Sequence, residues 1–244
     1  DAELYDVLLG DYALDVEPLV ALARESGGPV LEVACGTGRV LLPIARAGIA
    51  AEGVDLSEPM VRRLRERAAR EGLRIRAEVA DMRTFDLGRR FRFVYCVFNG
   101  FAHNETLDDA LAALRRCHAH LEPGGRVLVQ LAYPMLSEWG GDGTPALEHE
   151  TVDPRTGRKL RMFDARTVDV VKQTQVSRMT VEEVDESGRV VATHPSVARL
   201  RWFYPGEMEC LLRLAGFARV RIDGGLDGRP LATPNDSLVA SGWA

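Results

Sequence analysis

The stretch Val-Leu-Glu-Val-Ala-Cys-Gly-Thr-Gly-Arg, residues 30–39, decides the fold of this chain. Its apolar start is typical of a buried strand, and the apolar residues after it recur at helical spacing, so the sequence predicts a strand, a glycine turn and a helix. Small residues in the turn let a ligand approach the backbone, and the start of the helix offers free N–H groups. Glu32 stands at the end of this strand. Asp55 follows a second apolar strand about twenty residues later, where an acid typically holds a ribose diol.

The glycine turn differs from the dinucleotide fingerprint. That fingerprint is G-x-G-x-x-G, whereas residues 32–38 follow the pattern Glu-x-Ala-x-Gly-x-Gly. The missing third glycine counts against a nicotinamide-dependent dehydrogenase, which stays an alternative at this point.

Strands and helices alternate between residues 30 and 131, which predicts a parallel sheet covered on both faces. Helical spacing over residues 1–26 precedes this region, and Gly10 is expected to break that segment in two. The predicted strands are 30–34, 49–54, 73–79, 91–98 and 126–131, and the predicted helices between them are 39–47, 58–71 and 107–121. A helix at 205–215 and strands at 217–222 and 237–241 complete the α/β pattern.

The pattern changes between residues 145 and 204. Extended runs at 159–171, 175–184 and 189–203 are separated by turn sequences at 153–157 and 185–188, which predicts a small antiparallel sheet. We therefore expect an α/β domain over 1–144 and 205–244, with an insertion over 145–204. Such an insertion serves either as a lid over the ligand crevice or as a dimerisation element.

The composition is that of an ordinary globular protein. The chain has 244 residues, 46% hydrophobic and 27% charged, with a formal net charge of −5. Dispersed basic residues argue against a general nucleic-acid binder, although the arginines of the helix at 58–71 leave either a solvated face or an RNA-binding face open. Four scattered cysteines and the lack of a long apolar run predict a cytoplasmic protein without a membrane span, and no acid cluster suggests a metal site.

Two further motifs follow in order. Asp81-Met82-Arg83 comes after the third strand, and Leu-Glu-Pro-Gly-Gly at 121–125 leads into the fifth strand. Together with the glycine turn and Asp55, these motifs resemble the class I S-adenosylmethionine-dependent methyltransferases over essentially the whole chain. The pattern is most similar to bacterial enzymes that methylate small molecules, including N-methyltransferases of nucleotide-linked amino sugars. The resemblance implies a Rossmann-like sheet with the inserted antiparallel sheet as a lid.

The resemblance also implies roles for the first two strand ends. Ala34, Gly36 and Gly38 would give backbone contacts to the methionine part of the cofactor. Glu32 would orient its amino group, and Asp55 would take the ribose hydroxyls. Carboxylates rarely end buried strands without a partner, which independently favours a ligand for both acids.

Further cofactor contacts are implied after the second, third and fourth strands. Leu56 would pack on adenine, and Asp81 and Met82 would recognise the edge of the adenine ring. Phe98 and Asn99 would lie beside the sulfonium. The sequence at Phe98 departs from the Asn/Asp-Pro-Pro-aromatic motif, which lowers the expectation of a nucleic-acid base as methyl acceptor.

Tyr5 and Tyr12 of the N-terminal segment would close over the methionine carboxylate and the substrate. Methyl transfer needs a general base only if the nucleophile arrives protonated. The candidate bases are His103, just past the fourth strand, and His194 in the insertion, and we count Tyr5 with His103 as candidate catalytic residues. An aromatic and cationic wall around residues 199–204 could bind an anionic substrate, or could simply pack the insertion on the domain.

The sequence therefore predicts a methyltransferase that converts S-adenosyl-L-methionine to S-adenosyl-L-homocysteine while methylating a small molecule, at an amine or at a hydroxyl. The alternatives are an RNA- or protein-directed methyltransferase and a non-catalytic protein that binds the cofactor. A homodimer through the inserted sheet is possible on this pattern.

Overall fold

The computed structural model describes residues 2–9, 12–135 and 141–244. Within these ranges the α-helices are α1 (Ala2–Leu9), α2 (Val16–Ser26), α3 (Leu41–Arg46), α4 (Glu58–Arg70), α5 (Leu107–Ala119) and α6 (Pro205–Leu214). The strands are β1 (Val30–Val33), β2 (Ala51–Asp55), β3 (Arg76–Val79), β4 (Phe91–Cys96), β5 (Leu121–Ala132), β6 (Asp142–Val152), β7 (Lys159–Asp169), β8 (Thr174–Val184), β9 (Val190–Arg201), β10 (Arg219–Asp223) and β11 (Ser237–Trp243). A 3₁₀ helix, Gly100–His103, follows β4.

Seven strands form the main sheet in the order β10-β11-β5-β4-β1-β2-β3. Strands β1 to β5 pair in parallel, and β11 runs antiparallel to both β5 and β10. Since β4 and β2 lie on opposite sides of β1, the winding reverses at β1. Open α/β sheets bind ligands outside the carboxyl ends of the strands at such a point. The predicted α/β class is confirmed.

Helices enclose two buried clusters on the faces of this sheet. One cluster includes Leu114 of α5 and Leu212 of α6, and the other includes Leu19 of α2, Leu41 of α3 and Leu64 of α4. All five leucines are fully buried. Their burial stabilises the scaffold by about 2 kcal/mol per side chain, so the strand ends that form the site are carried by a rigid core.

The fifth strand begins earlier than the sequence predicts. Leu121 already pairs with Phe91, and the ladder then shifts register before Phe93 pairs with Arg126. Gly124, with φ of 75°, lies within this irregular stretch. The predicted turn at 122–125 is therefore a distortion inside the strand, and α5 ends at Ala119 instead of 121.

A second sheet contains β6, β7, β8 and β9 in that order, all antiparallel. The three predicted extended runs correspond to β7, β8 and β9. Strand β6 was not predicted, and the expected boundary at 145 falls inside it. Its residues are mostly exposed, and in this sheet it pairs only with β7, so it carries no apolar alternation that a sequence pattern could detect.

Helix α1 packs against this second sheet through Leu4, which contacts Leu160 and Val181. The two N-terminal helices agree with the predicted broken helical segment, but Gly10 itself lies outside the described residues. No helix in the described ranges is long and apolar enough to cross a membrane.

Candidate active site

A cavity of about 1150 Å³ opens at the carboxyl edge of the parallel sheet. Residues that follow β1, β2, β3 and β4 form its floor, and α1 and β9 contribute to its wall. The structure brings the following predicted site residues together there: Tyr5, Glu32, Ala34, Gly36, Asp55, Leu56, Asp81, Met82, Phe98, Asn99 and His103. Tyr12 and Gly38 are not part of this wall.

The turn after β1 has a left-handed backbone at three positions. The φ angles are 59° at Ala34, 53° at Gly36 and 85° at Gly38. A Cβ on Gly36 would meet no heavy atom within 4 Å, so its bare backbone faces open space. A Cβ on Gly38 would instead lie 2.2 Å from Leu64. Gly36 therefore leaves room for a ligand, whereas Gly38 serves the packing of the turn on α4.

Asp55 ties the turn after β1 to the end of β2. Its Oδ2 accepts a hydrogen bond from the backbone N–H of Gly36, and its Oδ1 accepts one from the backbone N–H of Ser57, both at 2.8 Å. Each carboxylate oxygen can still accept a second hydrogen bond. Asp55 is thus fixed in place with capacity left for the two hydroxyls of a ribose.

Glu32 is a nearly buried carboxyl, with 4% of its surface exposed. Its only hydrogen bond within the described residues comes from the Tyr95 hydroxyl, at 3.2 Å. Burial raises the pKa of Glu32 to about 8, and the charge of Arg39 opposes this shift. Because a buried carboxylate without an adjacent cation is costly, the site favours a positively charged group of a ligand at this position.

Asp81 and Met82 lie on the far side of the cavity. Asp81 binds the Arg83 guanidinium at 2.6 Å and accepts from the Arg83 backbone N–H at 2.8 Å. The hydrogen bond with Arg83 lowers the pKa of Asp81. The side-chain amide of Asn104 contacts Met82 Sδ at 3.1 Å. Arg83 therefore already occupies part of the hydrogen-bonding capacity of the Asp81 carboxylate, which we predicted to accept from the adenine ring.

The segment after β4 is strained where it meets the cavity. Phe98 and Asn99 have φ angles of 54° and 60°, which bulky residues rarely adopt. The Arg39 guanidinium lies 4.6 Å from the centre of the Phe98 ring, and the ring of Tyr12 lies 5.1 Å away. Asn99 Oδ1 accepts from the backbone N–H of Ala132 at 2.7 Å. These contacts hold both residues at the cavity edge.

Arg39 is a site residue that sequence reasoning missed. It lies in the cavity wall, forms a two-point ion pair with the buried Asp15, and donates to the carbonyl oxygen of Tyr12 at 2.9 Å. It thereby holds Tyr12 against the site, where Tyr12 lies behind the cavity wall in contact with Arg39 and Phe98. The only sequence signal was its position next to the last glycine of the turn.

Helix α1 places Tyr5 in the cavity, where burial raises the pKa of its hydroxyl. The next residue, Asp6, accepts hydrogen bonds from Thr37 at 2.6 Å, from Arg63 at 2.9 Å and from Arg67 at 3.1 Å. The arginines of α4 were expected to form a solvated or an RNA-binding face. Two of them instead pair with α1 and fasten it beside the glycine turn.

Of the two candidate bases, His103 lies in the cavity and His194 does not. Desolvation by the cavity wall lowers the pKa of His103, which favours the neutral imidazole that a base requires. His194 lies within 2.9 Å of the Glu183 carboxylate in the second sheet.

The expected aromatic and cationic wall is also divided between two places. Arg199 lines the main cavity, whereas Arg201 is buried and bound to Glu207 at 3.0 Å. The packing alternative therefore holds for Arg201. It also holds for Phe203, which packs against Phe101 at 5.4 Å.

Glycine backbone, a fixed acid at the end of β2 and a buried acid within β1 lie together in one cavity, an arrangement that can hold an adenosine-containing ligand with a positive charge. A methyltransferase domain family matches residues 30–125. The chain is 31% identical over 238 residues to the dTDP-3-amino-3,4,6-trideoxy-alpha-D-glucopyranose N,N-dimethyltransferase of Streptomyces venezuelae, covering 94% of this chain and 95% of that protein.

A second relative, the dTDP-3-amino-3,6-dideoxy-alpha-D-glucopyranose N,N-dimethyltransferase of Streptomyces fradiae, is 38% identical over 136 residues, covering 53% of this chain and 52% of that protein. Among solved structures, S-adenosylmethionine-bound CalS10 of Micromonospora echinaspora, an amino pentose methyltransferase, has a TM-score of 0.68 and 26% identity, covering 95% of this chain and 90% of that chain. The chain belongs to the S-adenosylmethionine-dependent methyltransferases. The dehydrogenase and the non-catalytic alternatives are thereby set aside.

Proposed function

We propose that this enzyme transfers methyl groups to the amino nitrogen of a nucleotide-linked amino sugar, giving an N,N-dimethylated product. The observation that carries the proposal is the extent of the first relative's match, which at 94% of this chain is too long to be confined to the domain at residues 30–125. A domain match limited to the cofactor half would support the reaction without indicating an acceptor.

The chain's residues fit S-adenosylmethionine at the main cavity. That cofactor supplies an electrophilic methyl group on a sulfonium. Ala34 and Gly36 would give backbone contacts to its methionine part, and Gly38 would shape the turn that carries them. Glu32 would pair with the α-ammonium group, since its buried carboxyl lacks a cationic partner within hydrogen-bond distance. Asp55 would accept from the ribose hydroxyls.

The adenine would lie between the ends of β2 and β3. Leu56 is 69% exposed although it is apolar, and an adenine ring stacked on it would cover that surface. Met82 would contact the edge of the ring, and Asp81 would accept from its amine with an oxygen shared with Arg83. Phe98 and Asn99 would bound the sulfonium.

The acceptor side of the cavity contains the groups that can handle a proton. An amino group is a nucleophile only when neutral, so a base must take its proton if it arrives charged. His103 would take that proton, because desolvation lowers its pKa and thus keeps it neutral at pH 7. The Tyr5 hydroxyl would donate to the acceptor or to the methionine carboxylate, and Tyr12 would support the closed N-terminal segment.

The second sheet supports two further parts of the proposal. We infer that 145–204 acts as a lid, because residues Val197 to Leu200 of β9 complete the cavity wall. We also propose a homodimer through this sheet, since Leu147 and Val152 on the edge strand β6 are apolar and more than half exposed. All four cysteines are unpaired, which supports a cytoplasmic location.

The test is an assay of the purified protein with S-adenosylmethionine and a dTDP-3-amino sugar, followed by mass spectrometry. The expected result is the gain of one and then two methyl groups, with the formation of S-adenosylhomocysteine. A structured RNA and a peptide with a free N-terminus serve as parallel acceptors. Methylation of either one, with the sugar left unchanged, would replace the proposal by the RNA- or protein-directed alternative.

A further inference from the structure

A smaller cavity of about 220 Å³ lies between the end of β5 and the second sheet. It shares two wall residues, Asn99 and Leu200, with the main cavity. Since Asn99 would bound the reacting sulfonium, an acceptor at the reacting position would lie next to this second space. The small cavity is therefore placed to receive part of the acceptor and none of the cofactor.

Three side chains in its wall have unused hydrogen-bonding capacity toward the described residues. Asn99 uses Oδ1 to accept from a backbone N–H, and its Nδ2 has no acceptor. Gln175 donates from Nε2 to a serine hydroxyl at 2.8 Å, and its Oε1 has no donor. Arg166 donates from Nε to Asp164 at 3.0 Å, and its Nη1 has no acceptor. Donors and an acceptor thus surround the same space.

The charges of this wall exclude an anion as the preferred occupant. Arg166 is paired with Asp164 at 2.9 Å and approaches Glu148 at 3.5 Å, and Arg201 is paired with Glu207 at 3.0 Å. Both guanidinium groups are thus neutralised. A hydroxyl group both donates and accepts, which matches a neutral wall of mixed donors and acceptors.

We propose that this small cavity binds the carbon-4 side of a 3-amino acceptor sugar, and that the enzyme selects an acceptor with a hydroxyl group at carbon 4. This inference rests on the proposed function. By their names, the sugars of the two relatives above both keep a hydroxyl at carbon 2. They differ at carbon 4, where the 3-amino-3,6-dideoxy sugar keeps a hydroxyl and the 3-amino-3,4,6-trideoxy sugar lacks it. The inference predicts that this enzyme prefers the first.

The experiment compares kcat/KM for the two dTDP sugars in the wild type and three variants. Gln175→Leu removes the polar amide and keeps the size, and Ala132→Phe fills the small cavity from the end of β5. Ala119→Phe makes the same change on an exposed position of α5 that lines neither cavity. S-adenosylhomocysteine affinity, measured by calorimetry, reports whether each variant keeps the cofactor site.

We expect the wild type to favour the hydroxylated sugar by at least about tenfold, because a site built to bond a hydroxyl rejects the analogue that lacks it. Gln175→Leu should bring the ratio close to one by lowering only the value for the hydroxylated sugar. Ala132→Phe should raise KM for both sugars and leave the affinity for S-adenosylhomocysteine unchanged. Ala119→Phe should change neither KM nor this affinity.

A wild-type ratio of kcat/KM, hydroxylated to deoxygenated sugar, of one or below would overturn the inference. A Gln175→Leu variant that lowers kcat/KM equally for both sugars would overturn it as well. In either case methylation of the sugars still upholds the proposed function. If neither sugar is methylated or bound while S-adenosylhomocysteine binds, the proposed function fails and this inference fails with it.

Discussion

Glu32 gives the sharpest prediction, because it links protonation to cofactor binding. With a pKa of about 8, this carboxyl carries about 0.9 proton at pH 7, and pairing with the cofactor's ammonium group should release that proton. The ionised fraction rises about ninefold from pH 6 to pH 7 on the same arithmetic. We therefore expect the affinity for S-adenosylhomocysteine to rise by nearly that factor over this interval.

The assay is calorimetric titration with S-adenosylhomocysteine at pH 7 in phosphate and in Tris buffer. The dependence of the apparent enthalpy on the buffer's ionisation enthalpy gives the number of protons released. Glu32→Gln keeps an acceptor for the Tyr95 hydroxyl and should release no proton. Glu52→Gln changes another buried acid, on the neighbouring strand and outside the cavity, and should behave like the wild type.

The raised pKa of Glu32 also makes the stability of the ligand-free protein depend on pH. Between pH 4.5 and about pH 8, the folded state binds more protons at Glu32 than the unfolded state does. The free energy of unfolding should therefore fall as the pH rises through this window, and the contribution of Glu32 should be absent in Glu32→Gln. Proton release near zero, or an affinity that is flat between pH 6 and pH 7, would refute the assignment of Glu32 to the ammonium group.

Three further changes test other parts of the site. Asp55→Ala should weaken S-adenosylhomocysteine binding about a hundredfold in calorimetry, because two hydrogen bonds to a charged group are worth about 3 kcal/mol together; unchanged affinity would contradict the ribose role. Gly38→Ala should lower the free energy of unfolding in urea by about 2–4 kcal/mol, since the new Cβ is both strained and overpacked, whereas Gly48→Ala, with a similar φ and open space, should cost only about 1 kcal/mol. Equal losses of stability in the two variants would show that backbone strain alone, without the contact with Leu64, determines the cost. His103→Gln should reduce kcat about a hundredfold at pH 7 and recover part of it at higher pH, where the acceptor amine loses its own proton, while His194→Gln should leave kcat unchanged. A pH-independent loss in His103→Gln would argue against its role as a base.

The grouping of residues at the floor of the main cavity could be predicted because they lie at or near strand ends. A side chain near the carboxyl end of a parallel strand lies at that edge of the sheet, and strand order then brings Glu32, Asp55, Asp81 and Phe98 to one place. Gly38, which was predicted to contact the cofactor, does not line the cavity. Positive φ and close packing both require glycine, and a motif does not show which of the two causes a given glycine to be there.

The second sheet could be predicted only where its strands are rich in apolar or β-branched residues. Strands β7, β8 and β9 carry enough of these residues to be detected, although β9 is a mostly exposed edge strand like β6. Strand β6 carries fewer of them and is held by backbone pairing with β7. The small cavity could likewise not be predicted from the sequence. Arg166, Gln175 and Asn99 come from three distant segments, and their meeting depends on how the second sheet sits over the end of β5.

The arginines of α4 show why a helical pattern cannot say what covers a polar face. Val61, Leu64 and Ala68 of α4 are buried in the core. Arg63 and Arg67 lie outside this buried stripe, where solvent is the simplest expectation. The structure places Asp6 of α1 against both guanidinium groups and against the Thr37 hydroxyl.

One carboxylate of α1 is thus bound to α4 and to the glycine turn together, and Tyr5, its neighbour in the chain, faces the cavity. Such pairs are worth far less than buried apolar contacts, about 1 kcal/mol or less each when solvent reaches them. The apolar contact of α1 is made with the second sheet instead, through Leu4. The position of Tyr5 at the cavity is therefore set jointly by the charges of α4 and by the second sheet, and we expect a substitution in either one to shift Tyr5.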